Sequence, residues 1–204
     1  MNRTREKIIE VSLDLFSRKG YSAVSVRDIC RRVGIKESSV YYHFKNKQAV
    51  FDEILSRFQQ KAADMMSRFT SAMSKDWQAA DDNYYMEVCN CFFEKYLMDD
   101  FCNKVMRLML MEQFHNDKVK KAYDYWMFTK PLEFQSGIFK MLMDRGLLPK
   151  ADSEYIALRY YAPIFFFAQK WLLCSPLTDE NKNAFRKDAY RHIRCFFSEL
   201  GGAK

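Results

Sequence analysis

Chain breakers are scarce in this sequence: six Gly and four Pro in 204 residues, with no Ser/Gly linker, low-complexity run or evident internal repeat. The alternation of a β-strand is missing as well. Apolar residues instead recur three and four apart, as in Ile8, Val11, Leu15 and in Ile54, Phe58, Met65, which is the period of an amphipathic helix. An all-α fold is therefore expected. No window holds about eighteen uninterrupted apolar residues, so no bilayer span is expected. The first residues run into Glu6, Glu10 and Asp14 rather than into the apolar stretch of a signal peptide, which makes the cytoplasm the expected location. Without an export signal, the six Cys are read as reduced thiols. Cys30, Cys102, Cys174 and Cys195 lie among apolar residues and are expected to pack as small hydrophobes. Cys89 and Cys91, two apart, would face different sides of a helix and form no C-x-x-C element.

Catalytic signatures are lacking too. There are three His (His43, His115, His192) and no G-x-S-x-G, Walker loop or H-E-x-x-H. His115 beside Asp117 has no companion at ligand spacing. No enzyme activity, cofactor or metal is expected.

What is present is charge in one place. Residues 1–50 hold eleven Lys/Arg against five Asp/Glu, whereas the other 154 residues hold 22 against 21. Nearly the whole surplus sits in the first quarter, as on a nucleic-acid-binding head attached to a neutral body, although a solvated basic surface would have the same composition. The first helix is expected from about Thr4 to Arg18, stopped by Gly20. A second starts at the Ser25-x-x-Asp28 capping box and stops at Gly34. The short segment 38–44 follows after three residues, and two short helices joined by a Gly-containing turn make a helix-turn-helix unit. Asn46 caps a longer helix with Val50, Phe51, Ile54, Leu55 and Phe58. Further helical stretches are expected over about 83–98, 101–113 and 117–144. A break at Gly146–Pro149 leads to a terminal hairpin of helices at about 152–174 and 179–199, the first kinked at Pro163. That hairpin can bury its outer face by pairing with a second copy. The expected division is a three-helix head, 1–47, and a larger helical body, 48–204, with a dimer hairpin at about 152–199.

Residues 24–47, Val24-Ser25-Val26-Arg27-Asp28-Ile29-Cys30-Arg31-Arg32-Val33-Gly34-Ile35-Lys36-Glu37-Ser38-Ser39-Val40-Tyr41-Tyr42-His43-Phe44-Lys45-Asn46-Lys47, resemble the DNA-binding signature of the TetR family, and Phe16 with Gly20-Tyr21 falls at the family spacing. The resemblance covers about residues 5–55; beyond it only the layout of helices is similar. It implies a homodimer on a palindromic double-stranded DNA operator, with repression as the default and release by a small-molecule effector. It also implies that Tyr41, His43 and Lys47 hold the DNA backbone, which suits a phenol, an imidazole and a compact cation. Side-chain chemistry adds Lys36, Glu37, Ser38, Ser39 and Tyr42 as groove-facing residues at the start of the short helix. Arg27 is placed to reach a guanine edge or a phosphate, and Ser25 to offer hydroxyl and amide donors to a phosphate. Val40 and Phe44 are core by spacing. Tyr41 has a second reading, as filler beneath the short helix. Lys36 departs from the family pattern, which has Ser or Thr as the cap at that position.

Residues 51–204 contain sixteen Phe, nine Tyr and all three Trp, with many Met. Such a segment suits an adaptable apolar cavity, while an ordinary helical core explains any single member equally. The expected lining is Phe93, Tyr96, Met106, Leu110, Phe114, Tyr123, Trp126 and Met127, with Arg107, Gln113 and His115 as polar members. The function expected is a DNA-binding regulator, a repressor released by an apolar or amphipathic ligand. The alternative is the same fold without a small-molecule effector, regulated by a protein partner and packed solid inside.

Overall fold

A computed structural model describes residues 3–75 and 90–201. Residues 83–89 of the expected helix at 83–98, and Cys89 with them, lie outside the described residues. Helix and turn account for the described chain, and no strand occurs among those residues.

Helix α1 (Arg3–Lys19) ends where Gly20 takes a φ of 83°, a left-handed conformation that costs Gly nothing. Helix α2 (Val26–Val33) opens on the expected capping box: Asp28 N–H donates to Ser25 Oγ, and the Asp28 carboxylate accepts from the Ser25 N–H. It closes at Gly34, φ 82°, with the amides of Gly34 and Ile35 both donating to the Cys30 carbonyl. Helix α3 (Glu37–His43) begins one residue earlier than expected, and Lys36 caps it through backbone geometry alone, without a side-chain bond. Asn46 Oδ1 accepts from the Ala49 amide at 2.8 Å and starts helix α4 (Lys47–Lys75).

The remaining helices are α5 (Asp100–Glu112), α6 (Asp117–Asp124), α7 (Lys130–Asp144), α8 (Ser153–Ala168) and α9 (Asp179–Gly201). Three widened turns interrupt the α-helical run: Phe93–Leu97, Tyr125–Thr129 and Gln169–Leu173. Each closes with an i→i+5 bond, from Met98 N–H to the Phe93 carbonyl, Lys130 N–H to Tyr125, and Cys174 N–H to Gln169. Such π-helical turns carry one residue more than the α-helix and occur often at functional sites. The expected stretch 117–144 is thus α6 and α7 joined through a π-turn, and 152–174 is α8 plus another. Pro163 sits inside α8, which runs on to Ala168.

One hydrophobic cluster runs from α1 to α9. Near the N-terminus, Ile8, Phe16, Ile29, Val40 and Phe51 are buried, each worth about 1.5–3 kcal/mol of transfer free energy. Helix α4 belongs to both ends of the molecule. Its Phe51 packs on Phe16 and Tyr21, whereas Phe58, two turns on, stacks on Tyr96 at 5.8 Å and meets the edge of Trp126 at 5.9 Å. Helices α8 and α9 pack antiparallel, tied by Arg159–Glu199, His192 to the Tyr160 carbonyl, and Trp171–Asp188. Of the Cys expected to pack, Cys30 and Cys102 are buried; Cys174 and Cys195 are exposed, because the first follows the end of a π-turn and the second lies on the solvent side of α9.

Candidate nucleic-acid interface and the cavity behind it

Helix α3 is only seven residues long, too short to persist unless it packs. Val40 and, just past the helix, Phe44 supply that packing and are buried. The opposite side is left to solvent: Tyr42 is 82% exposed and Tyr41 51%. Lys36 and Ser38 are exposed as well, and Glu37, Ser39 and His43 are half-buried. Val40 and Phe44 fill the gap beneath the helix, so Tyr41 is not its filler. The His43 ring lies edge-on to Tyr42 at 4.9 Å.

The neighbouring expected contacts have partners inside the protein. Arg27 Nε donates to Glu37 Oε1 at 3.0 Å, an exposed pair that ties α2 to α3 and neutralises both groups locally. Ser25 Oγ donates to Asp28 Oδ2 at 2.6 Å, and its amide donates to the same carboxylate. Both donors expected to face a phosphate are thereby engaged with Asp28, the amide as part of the capping box and the hydroxyl through a bond added to it. The Ser25 bonds, side chain first, hold the Asp28 carboxyl below its usual range.

Lys47 is further from the sequence expectation. Its ammonium donates to the carbonyls of Tyr21 and Val24, both at 2.8 Å, and lies 4.1 Å from the centre of the Tyr21 ring. Burial pushes its pKa down, against the pull of Glu112. Of three ammonium donors two are engaged by the loop between α1 and α2, so Lys47 is a strut of the head with one N–H left over. No local pattern in the sequence pairs it with residues 21 and 24.

The same loop is held from the body. Glu112, buried at the end of α5, accepts the Tyr21 N–H at 2.8 Å. A Cβ on Gly20 would come within 2.9 Å of that carboxylate. A second tie joins α1 and α4. Arg57 forms a two-pronged bond to Glu6, and Arg5 and Arg57 share Glu53. These bonds hold Glu6 below the usual carboxylate range, chiefly through Arg57, and Glu53 likewise, chiefly through Arg5.

Behind the head, the three π-turns converge on one apolar cavity. They contribute Tyr96 and Leu97, Trp126 and Met127, and Leu173. Met66 of α4, Met106 of α5, Phe134 and Gln135 of α7, and Tyr161 and Phe165 of α8 complete most of the wall. The side chains leave about 20 Å³ free, room for a single water. Among the described residues the lining has no charged side chain. Tyr161 donates to the Met127 carbonyl at 2.8 Å, but the buried Tyr96 hydroxyl has no hydrogen-bond partner. Trp126 also borders an open groove of about 440 Å³ between α4 and α6, spanned by the Lys118–Asp52 ion pair.

Four residues of the expected lining, Tyr96, Met106, Trp126 and Met127, reach this cavity; the others do not. Phe93 points the other way and meets the Phe185 ring edge-on at 5.0 Å. Arg107 donates to the Ser175 carbonyl, bracing the start of the α9 hairpin. Tyr123 is buried but accepts from Gln169, and Leu110 is half-buried against the core. Gln113 bonds back to the Leu110 carbonyl at the end of α5. Phe114, 83% exposed, and His115, also exposed, lie on the turn after α5, where the chain leaves the core. Gln135 and Tyr161 were not anticipated, because α7 and α8 reach the cavity only through tertiary packing.

Among the described residues no helix is long and apolar enough to cross a membrane, and no group of three or more His, Cys, Asp or Glu is placed to hold a metal ion. The family model "Bacterial regulatory proteins, tetR family" matches residues 8–54, the segment comprising α2, α3 and most of what packs on them. The biofilm operon icaADBC negative transcriptional regulator IcaR of Staphylococcus epidermidis is 30% identical over 95 residues, 47% of this chain and 46% of that protein. IcaR of Staphylococcus aureus is 41% identical over 49 residues, 24% of this chain and 26% of that one. The chain therefore matches less than half the length of these relatives. Likeness of fold extends over the whole molecule. A Mesorhizobium loti protein assigned to the TetR family superposes with a TM-score of 0.72 at 21% identity, covering 96% of each chain. The SmeT–triclosan complex, SmeT being a repressor from Stenotrophomonas maltophilia, gives 0.70 at 19%, covering 96% of this chain and 90% of that one. Fatty acid degradation regulator FadR from Bacillus halodurans gives 0.66 at 18%, covering 100% and 98%. The first helices thus carry the signature of the bacterial regulatory proteins of the tetR family, and the whole chain has the fold of solved structures from that family.

Proposed function

We propose that the protein is a cytoplasmic, homodimeric transcription repressor that binds a palindromic DNA operator through α3 and releases it when a small apolar or amphipathic molecule occupies the cavity. The observation that carries the DNA reading is the two-sidedness of α3: Val40 inward, with Lys36, Ser38, Tyr41 and Tyr42 outward on a basic head. In the major groove such a helix reads bases with its first residues. Tyr42 and Ser38 are the readers, Tyr41 and His43 the backbone contacts. Lys47 contributes at most its remaining N–H to a phosphate, and Arg27 acts on DNA together with Glu37.

The dimer reading is supported by α8. Tyr155, Leu158 and Phe166 are exposed, and with Ala162 they line one side of the helix at three- and four-residue spacing. A twofold partner covering that stripe would set two α3 helices about 34–36 Å apart, one turn of DNA.

The effector reading is supported by a continuous path. Met106 lines the cavity on α5, and Glu112 at the end of the same helix holds the loop before α2. A ligand that moves α5 therefore acts on the Gly20–Tyr21 loop and on the seat of α3. To turn the population from nearly all competent to nearly all incompetent, it has to favour the second state by about 5.5 kcal/mol. The near-filled interior favours the second reading, a regulator controlled by a protein partner; the partnerless Tyr96 hydroxyl favours the first.

The test is genome-wide mapping of the sites bound by the purified protein, followed by titration of one site duplex. Binding as a dimer to a palindrome, lost in Tyr42→Ala with the stability unchanged, is the expected result. A chain that stays monomeric and ignores duplex at low salt overturns the proposal.

A further inference from the structure

The cavity wall contains one polar group that the protein itself does not satisfy. Tyr96 is 3% exposed, its hydroxyl has no partner, and burial beside Tyr161 pushes its pKa well above the usual value, so it remains a neutral hydroxyl. A buried hydroxyl without a hydrogen bond is destabilising and is rare in folded proteins. Tyr161, the other phenol in the wall, is engaged with the Met127 carbonyl. Gln135 adds an amide, and among the described residues no Lys, Arg, His, Asp or Glu lines the space.

From this geometry, and resting on the effector reading above, we infer that the cavity takes an uncharged, ring-sized apolar molecule bearing one hydrogen-bonding group, and that this group pairs with the Tyr96 hydroxyl. A charge would be buried with no counter-ion, which is prohibitive in an apolar site. The space must widen, because a single ring needs on the order of 150 Å³ and about 20 Å³ is free. Met66, Met106 and Met127 stand at three sides of it, and the unbranched thioether changes rotamer and repacks at little cost. The aromatic walls, Phe134, Phe165 and Trp126 among them, suit a ring.

The test is calorimetric titration of the full chain, without DNA, using 4-ethylphenol, ethylbenzene and 4-ethylbenzoate at neutral pH. The phenol should bind saturably, and the carboxylate at least about a hundredfold more weakly. Tyr96→Phe should lower the affinity ratio of phenol to ethylbenzene about five- to tenfold, the value of one hydrogen bond, and it removes an unsatisfied group, so folding is retained. An unchanged ratio in Tyr96→Phe, a carboxylate that binds as well as the phenol, or no binding by any of the three overturns the inference. Operator retention, measured separately, tells the two proposals apart. Phenol binding that leaves DNA affinity intact sinks the effector reading alone, whereas DNA release by a charged molecule, with no neutral binder, sinks this inference alone.

Discussion

The head and the cavity region use polar groups in opposite ways. In the head the polar side chains that frame α2 and α3 have partners within the protein: Ser25 with Asp28, Arg27 with Glu37, Lys47 with the carbonyls of Tyr21 and Val24. These bonds shape a surface before any ligand arrives, which is how a preorganised recognition element avoids ordering costs on binding. The cavity region is the reverse, with flexible Met side chains, three π-turns and one unsatisfied hydroxyl. One region is fixed by its own hydrogen bonds, and the other is lined by side chains that repack at little cost. Helix α4 and the Glu112 bond couple the two.

The largest effect is expected where both regions share a side chain. Phe58→Ala removes a fully buried ring from between Tyr96 and Trp126 and should cost about 3–5 kcal/mol in urea unfolding; a cost under about 1 kcal/mol would mean that the cavity wall is not continuous with α4. Next come two lysines only two positions apart, Lys47 and Lys45. Lys47→Ala should destabilise by about 2–3 kcal/mol, since two charge-assisted bonds disappear. The exposed Lys45→Ala should leave stability within about 0.5 kcal/mol and instead flatten the salt dependence of duplex binding by about one unit of slope. If the two behaved alike, the strut role of Lys47 would be wrong.

Gly20→Ala probes the coupling itself. The residue has φ 83°, and the new methyl would stand 2.9 Å from the Glu112 carboxylate, so about 1–3 kcal/mol should be lost, with part of it regained when combined with Glu112→Ala. Full additivity in that double-mutant cycle would show that the loop and α5 are independent. Tyr96→Phe should act with the opposite sign and raise the melting temperature, because about 1 kcal/mol of unsatisfied burial is relieved.

The smallest effect concerns acid. Glu6 and Glu53 have folded pKa values depressed by Arg57 and Arg5, so their contribution is complete above the ordinary carboxylate value, about 4.5, and is lost as the pH falls through the lowered folded values. Glu6→Gln combined with Glu53→Gln should flatten the acid limb of the stability profile below that pH and change neutral stability by less than about 1 kcal/mol, since these groups are part-exposed. An unaltered acid limb would remove this cluster as a link between α1 and α4.

How much could be read in advance follows the range of the interactions. The capping box at Ser25, the left-handed stops at Gly20 and Gly34 and the inward Val40 and Phe44 are visible in sequence because each depends on residues within a few positions. Lys47 was legible as a cation but not as a strut, since its carbonyl partners are 26 and 23 residues away. Phe93 and Tyr123 were expected beside Tyr96 and Trp126, yet a π-turn shifts the register of a helix face by one residue and turns Phe93 onto Phe185.

By itself the sequence determined the helical class, the helix boundaries of the head and the exposed character of α3, because periodicity, caps and glycine stops are local matters of backbone conformation and hydrogen bonding. Only the tertiary structure decided which aromatics meet across the cavity, that Tyr96 is left without a partner and that Glu112 reaches the loop before α2. Those outcomes depend on where distant helices come to rest, which packing fixes and no short stretch of residues encodes.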